Sequence, residues 1–161
     1  MAIRIFQFLV CFLLFHGSVA QQVIHGRVIK VVDGDTFDLL TNAGKSERIR
    51  MSAIDAPEKR QDFGMVSRRF LAQQIEGKTV KVIWGKRDRN GRILGTVFLN
   101  QQEVNYLMIR MGMAWHFVRY SRSPRYAKAQ KLAKGERIGL WHDGLARPPW
   151  EFRRINQQKT R

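Results

Sequence analysis

The sequence predicts an α+β, mainly β domain: a small barrel of five strands accompanied by about three helices. Three observations carry this. Short segments rich in Val, Ile, Phe and Thr alternate with turn residues through the first half of the chain. One stretch with helical spacing separates the third of these segments from the fourth, and the pattern after the fifth is helical.

Residues 1–20, "MAIRIFQFLVCFLLFHGSVA", stand apart as a secretory signal peptide, with Arg4 as the charged start, Ile5 to Phe15 as the apolar run, and Ser18 and Ala20 before a cut at Gln21. That run is shorter than the roughly 18 apolar residues a membrane span needs. The only cysteine, Cys11, leaves with the signal, so the mature chain has no disulfide or thiolate metal site. The expected organisation is a signal at 1–20, one domain over 21–155, and a basic, disordered tail over 156–161, with a secreted or periplasmic destination.

Each element has its own signal. "VIHGRVIKVVDGDTFDLLTNAGKSERIRMSAIDAP" reads as three strands, with turns at Asp33-Gly34 and at "TNAGK". "DFGMVSRRFLAQQIEG" is helical, with Phe63, Val66 and Phe70 on one face, Leu71 and Ile75 beside it, and Gly77 as the stop. "KTVKVIW" and "RILGTVFL" are the fourth and fifth strands around "GKRDRNG". In "QEVNYLMIRMG", Val104, Leu107, Met108 and Met111 form a helical stripe. A further helix opens with Ser123 as N-cap and Pro124 at its first position, burying Ala129, Leu132 and Ala133. This order is compatible with an OB-fold, a five-stranded Greek-key barrel.

Charge narrows the function classes. From Gln21 to Asp62, seven Lys or Arg balance seven Asp or Glu; from Phe63 to Arg161, 21 basic residues face six acidic ones. A body this basic points to a polyanion, most simply nucleic acid, ahead of an anionic membrane surface or an acidic polysaccharide.

The acids therefore concentrate in the less basic half, where Asp35 ends a turn, Asp55 ends the third strand and Glu58 follows three residues later. Two carboxylates about 4 Å apart repel by about 4 kcal/mol at an effective dielectric near 20, and a bound divalent cation reverses that sign. All-oxygen ligation suits Ca²⁺ or Mg²⁺. Arg50, read as lying on the same strand as Asp55, and Arg92, opening the fifth strand, could stabilise charge at a five-coordinate phosphorus. Taken singly, these residues are ordinary turn and strand residues, and spacing alone divides evenly between that reading and a metal site. Asp33 and Asp38 keep the plainer roles of turn former, or support for its neighbours, and polar strand residue. His25, His116 and His142 are dispersed and read as structural or surface groups, while Tyr120, between Arg119 and Arg122, is the aromatic placed nearest a nucleotide.

From Val23 to Phe152 the chain resembles the thermonuclease, or staphylococcal-nuclease-like, family, through "VVDGDTFDL", "RIRMSAIDAPE", "DRNGRILGTVF", "VNYLMIRMGMAW" and "GLW". The resemblance implies an OB-fold and a Ca²⁺-dependent nuclease acting on DNA and RNA, giving 3′-phosphate products, and working as a monomer without a membrane once the signal is gone. By position it implies Asp35, Asp55 and the backbone carbonyl of Ala56 as calcium ligands. Glu58 would position or deprotonate the attacking water, Arg50 and Arg92 would bind the phosphate, and Arg89 and Tyr120 would contact substrate. Ala56 replaces the family's threonine, which leaves a carbonyl in place, whereas Asn90 and Val118 stand where nucleotide-contacting tyrosines are expected. The rival reading is a non-catalytic nucleic-acid-binding OB-fold module, against which the presence of Asp35, Arg50, Asp55, Glu58 and Arg92 counts.

Overall fold

The computed structural model describes residues 21–159; the predicted signal peptide, with Arg4 and Cys11, lies outside the described residues. Five long strands form the barrel: β1 (Gln22–Asp33), β2 (Thr36–Thr41), β3 (Ser46–Met51), β5 (Thr79–Arg87) and β6 (Ile93–Leu99). Two-residue strands β4 (Ile54–Asp55), β7 (Gln102–Glu103) and β8 (Trp115–His116) add short pairings. The sheet order β3-β2-β1-β5-β6 closes through a parallel β3–β6 pairing. This is the OB-type barrel the element order predicts, with helix α1 (Gly64–Ile75) between its third and fourth long strands.

Four α-helices are present rather than about three: α1, α2 (Val104–Arg110), α3 (Pro124–Gly135) and α4 (Pro149–Lys159), with a 3₁₀ turn η1 at Gly139–Trp141. Helix and strand contribute about equally, as an α+β barrel domain requires. The unexpected helix α4 runs through residues 156–159, where a tail without regular structure is expected. Its apolar face is short, Trp150, Phe152 and Ile155 followed only by polar and basic residues, which is why periodicity does not reveal it. Among the described residues no helix is long and apolar enough to cross a membrane.

Inward side chains of every long strand fill the core, among them Val28, Val31, Phe37, Leu39, Ile49, Met51, Val82, Ile93 and Val97, and α1 and α2 cap it with Leu71, Ile75, Met108 and Ile109. The buried stripe of α1 is Gly64, Ser67, Leu71 and Ile75, rotated from the expected Phe63, Val66, Phe70 face. Small residues there let the helix approach the β1–β2 turn, so shape outweighs hydrophobicity. The same preference appears on α3, where Ala129 and Ala133 are buried and Leu132 is exposed.

Candidate active site

The tight β1–β2 turn presents the first acid. Asp33 pairs with Thr36 across the two residues Gly34 and Asp35. A Cβ on Gly34 would stand 2.1 Å from Ser67 Oγ and 2.7 Å from Ala56 Cβ, so glycine is what lets the turn press against α1 and the segment after β4. Asp35 is thereby buried. Its Oδ2 accepts from the Ala56 backbone N–H at 2.8 Å, and its Oδ1 accepts from Thr36 Oγ1 at 2.9 Å and Arg50 Nη1 at 2.5 Å.

Arg50 reaches the turn because β2 and β3 pair Thr36 with Arg50. Its Nη2 donates to Asp55 Oδ1 at 2.7 Å, so one guanidinium bridges the two aspartates. Arg50 and Asp55 do not share a strand as the sequence reading has them. On a continuous strand, residues five apart point to opposite faces. Instead β3 ends at Met51, Ala53 takes a left-handed φ of 63°, and the chain resumes in β4, paired with β8 through Ile54↔His116 and Asp55↔Trp115. That break is what returns Asp55 to Arg50.

Glu58 follows the rigid Ala56-Pro57 step. The Glu58 backbone N–H donates to Gln61 Oε1 at 3.1 Å, and its carbonyl lies against Gly64, where a Cβ would come within 2.0 Å. Its carboxylate is held by a residue the sequence reading leaves out, Arg153 of α4. Arg153 Nη1 donates to Glu58 Oε1 at 2.5 Å, and Nη2 to Asp55 Oδ2 at 2.7 Å. The only trace of this in the sequence is the i, i+3 spacing of Trp150 and Arg153, which puts both on one helical face. Trp150 stacks on Phe117 (5.1 Å, 6° between planes) and meets Trp115 edge-on at 5.7 Å, so the aromatic contact beside β4 delivers the arginine to Asp55.

The structure thus gathers Asp35, Arg50, Asp55, Ala56 and Glu58. Arg92 is close in the fold, immediately before the β6 residues Ile93 and Leu94 that pair with Ile49 and Arg50, but its guanidinium is turned onto Asp88 (Nε to Oδ2, 2.8 Å). Arg89 is exposed in the β5–β6 turn. Tyr120 is 69% exposed, edge-on to Phe117 with Arg119 over its ring. Asp38 pairs with Arg48 on the outer face of the barrel. His116 is buried and its ring meets Tyr126 edge-on, a structural placement.

Two buried aspartates thus share a bridging arginine beside a glutamate on an OB-type barrel, and comparison of the sequence with known proteins gives this chain a family. The staphylococcal nuclease homologue family matches residues 48–143. The chain belongs to that family. Among its relatives, an Escherichia coli protein named "Uncharacterized endonuclease" is 44% identical over 81% of this chain and 85% of its own. A Haemophilus influenzae protein of the same name is 41% identical over 80% and 72%, and the "Micrococcal nuclease" of Shigella flexneri is 37% identical over 84% and 83%.

The charge balance of this nuclease-family site is uneven. Four carboxylates that act on one another, Asp33, Asp35, Asp55 and Glu58, face two guanidiniums, Arg50 and Arg153. Burial pushes the Asp33 carboxyl up to about 6, with Asp35 and Glu58 adding to it. Burial likewise raises Asp35, Arg50 pulling against it and Asp55 reinforcing it. Burial works against the charge of Arg50, but Asp35 and Asp55 outweigh it and hold the guanidinium firmly protonated. Among the described residues no group of three His, Cys, Asp or Glu side chains is arranged as a metal cage. What the site offers a cation is carboxylate oxygen from two aspartates, with an excess negative charge that one divalent ion would balance. That chemistry fits a hard cation of the Ca²⁺ type and not zinc.

Proposed function

We propose that this chain is a secreted, Ca²⁺-dependent nuclease that hydrolyses phosphodiester bonds of DNA and RNA with little sequence preference and leaves 3′-phosphate ends. One observation carries the reading: Asp35 and Asp55, from different elements, are buried on a single arginine beside Glu58. Burying like charges together is unfavourable unless a cation or a reaction uses them. The leader-like residues 1–20 support export, and the basic body supports a nucleic-acid substrate.

Asp35, Asp55 and the Ala56 carbonyl would hold the calcium ion, which when bound supplies polarisation of the phosphate and a more acidic water. Glu58 orients that water and accepts its proton as the new bond to phosphorus forms. Arg50 and Arg92 neutralise the charge that builds on the phosphoryl oxygens, Arg92 exchanging Asp88 for phosphate. The bond from phosphorus to the 5′ oxygen breaks, that oxygen takes a proton from solvent water and Glu58 returns its proton to solvent, so the phosphate stays on the 3′ side. Tyr120 and Arg89, both exposed, are suited to contact the substrate as a stacking surface and a cation.

Purified mature protein should digest plasmid, single-stranded DNA and RNA on addition of Ca²⁺ and stop with a chelator. Digestion insensitive to chelator would overturn the calcium mechanism, and no digestion of any of the three would overturn the enzyme reading.

A further inference from the structure

Arg153 has no part in the reaction as described, yet its position is specific. Both oxygens of fully buried Asp55 receive a guanidinium: Oδ1 from Arg50, and Oδ2 from Arg153 at 2.7 Å. The same Arg153 group takes Glu58 Oε1 at 2.5 Å. It arrives on α4, which lies C-terminal to the residues matched by the family. The helix is anchored by the Phe117–Trp150 stack and by Gln61, whose Nε2 donates to the Arg147 carbonyl at 2.7 Å. Beside it opens a groove of about 460 Å³, lined by Glu58, Lys59, Arg60 and Phe152 and bordered by Arg153 itself. Its side chain is 37% exposed, so leaving the carboxylates restores hydration and does not bury an unpaired charge.

We propose that Arg153 is a resident counter-ion of this site, a positioning residue that holds Asp55 and Glu58 together and competes with a divalent cation for Asp55. The inference rests on the calcium reading above. A guanidinium keeps its charge at any ordinary pH, so Arg153 is a permanent competitor. Cation binding at Asp55 therefore requires Arg153 to leave Oδ2, which frees Glu58 for water and loosens α4. A positive side chain held a few ångströms from the ligands weakens cation binding by repulsion as well as by occupancy.

The test is calorimetric titration of the full mature chain with Ca²⁺ alone, without substrate. Arg153→Gln should bind Ca²⁺ about tenfold more tightly than wild type, Arg153→Lys should fall between, and Arg154→Gln, the same charge change on an exposed neighbour, should stay within about twofold. Trp150→Ala releases the helix without changing a charge and should tighten binding in the same direction, so the proposal stays testable if Arg153→Gln misfolds. Wild-type tryptophan fluorescence should shift at the calorimetric midpoint as the Trp150 stack loosens. Equal finite affinities in wild type and folded Arg153→Gln overturn the competition and leave the calcium site standing. Weaker binding in Arg153→Gln does the same, making Arg153 a support. Failure of all the proteins to bind Ca²⁺ at millimolar concentration overturns both.

Discussion

Asp55 and Asp38 both pair with arginine, yet they sit at opposite extremes of cost. Asp55 is fully buried between Arg50 and Arg153, whereas Asp38 pairs on the outer face with an Arg48 side chain that is 53% exposed. Without Asp55, Arg50 keeps only Asp35 and Arg153 keeps only Glu58, and losing a buried charge-assisted hydrogen bond costs about 1.5–3 kcal/mol, while a surface pair contributes less than about 1 kcal/mol. In chelator, Asp55→Ala should therefore lower the urea midpoint by several times the change seen for Asp38→Ala; equal losses would contradict the geometry. His116 supplies a second residue-scale expectation. Burial lowers its pKa below the ordinary 6.5, with the Ser121 backbone opposing weakly. The unfolded chain then binds the proton first, so the stability from a neutral His116 is complete above pH 6.5 and is lost as pH falls from there toward the lowered native value. Urea midpoints measured from pH 7.5 to 5 should decline less in His116→Leu than in wild type, and parallel declines would remove His116 from the acid transition. At this scale turn chemistry and strand ends drew attention to Asp35, Asp55 and Glu58, and the bidentate chemistry of arginine to Arg50, but spacing alone divided evenly between ordinary turn residues and a metal site; their roles came from the family resemblance, and the structure brings the four together. Arg153 was not legible, because its partners lie 95 and 98 positions away and no local pattern encodes such a pairing.

Between elements, what positions Glu58 is the close approach of α1. The first residue of that helix, Gly64, faces the Glu58 backbone, with a virtual Cβ 2.0 Å from the carbonyl oxygen and 2.8 Å from its carbon. These are backbone atoms, so Gly64→Ala must move the segment from Glu58 to Lys59. Displacing a catalytic group by about 1 Å can cost about a hundredfold in rate. Turnover of single-stranded DNA by Gly64→Ala should fall about that far and resemble Glu58→Gln, while Ca²⁺ affinity changes little, because Asp35 and Asp55 sit on other elements. Wild-type turnover would show that Glu58 needs no such placement. The elements themselves were largely readable, since β-branched runs and turn residues locate the five long strands, and Ser123, whose side chain accepts from the Tyr126 N–H, caps α3 ahead of Pro124 as expected. The break after β3 was not readable: nothing in "RMSAID" demands that an alanine adopt positive φ, and the bonds that hold the segment there, Ser52 N–H to the Gly95 carbonyl, Phe117 N–H to the Ala53 carbonyl and the β4–β8 pairing, all reach distant parts of the chain. Helix α4 escaped for a related reason, its order depending on aromatic partners from the β8 region.

Across the whole molecule, the charge distribution and the barrel divide the work. The acids that act on one another lie within Asp33 to Glu58, while the chain from Phe63 onward carries 21 basic residues against six acidic ones. A polyanion is thus drawn to a cationic body whose one acidic centre would repel phosphate unless a cation or an arginine covers it. Arg153 covers that centre in the structure, so substrate can gather on the basic surface before any chemistry occurs. Binding in chelator should consequently be measurable and dominated by counter-ion release, with log affinity falling linearly with log salt. If about four phosphates of a single strand are neutralised, a fourfold rise in KCl should weaken binding by well over tenfold. Fluorescence anisotropy of a labelled oligonucleotide, titrated with protein at several KCl concentrations without Ca²⁺, reads that slope directly. A slope near zero would mean that the basic body serves solubility and that substrate is held only at the site. A steep slope shared by DNA and RNA strands of unrelated sequence would place recognition in the backbone, as expected of a nuclease with little sequence preference.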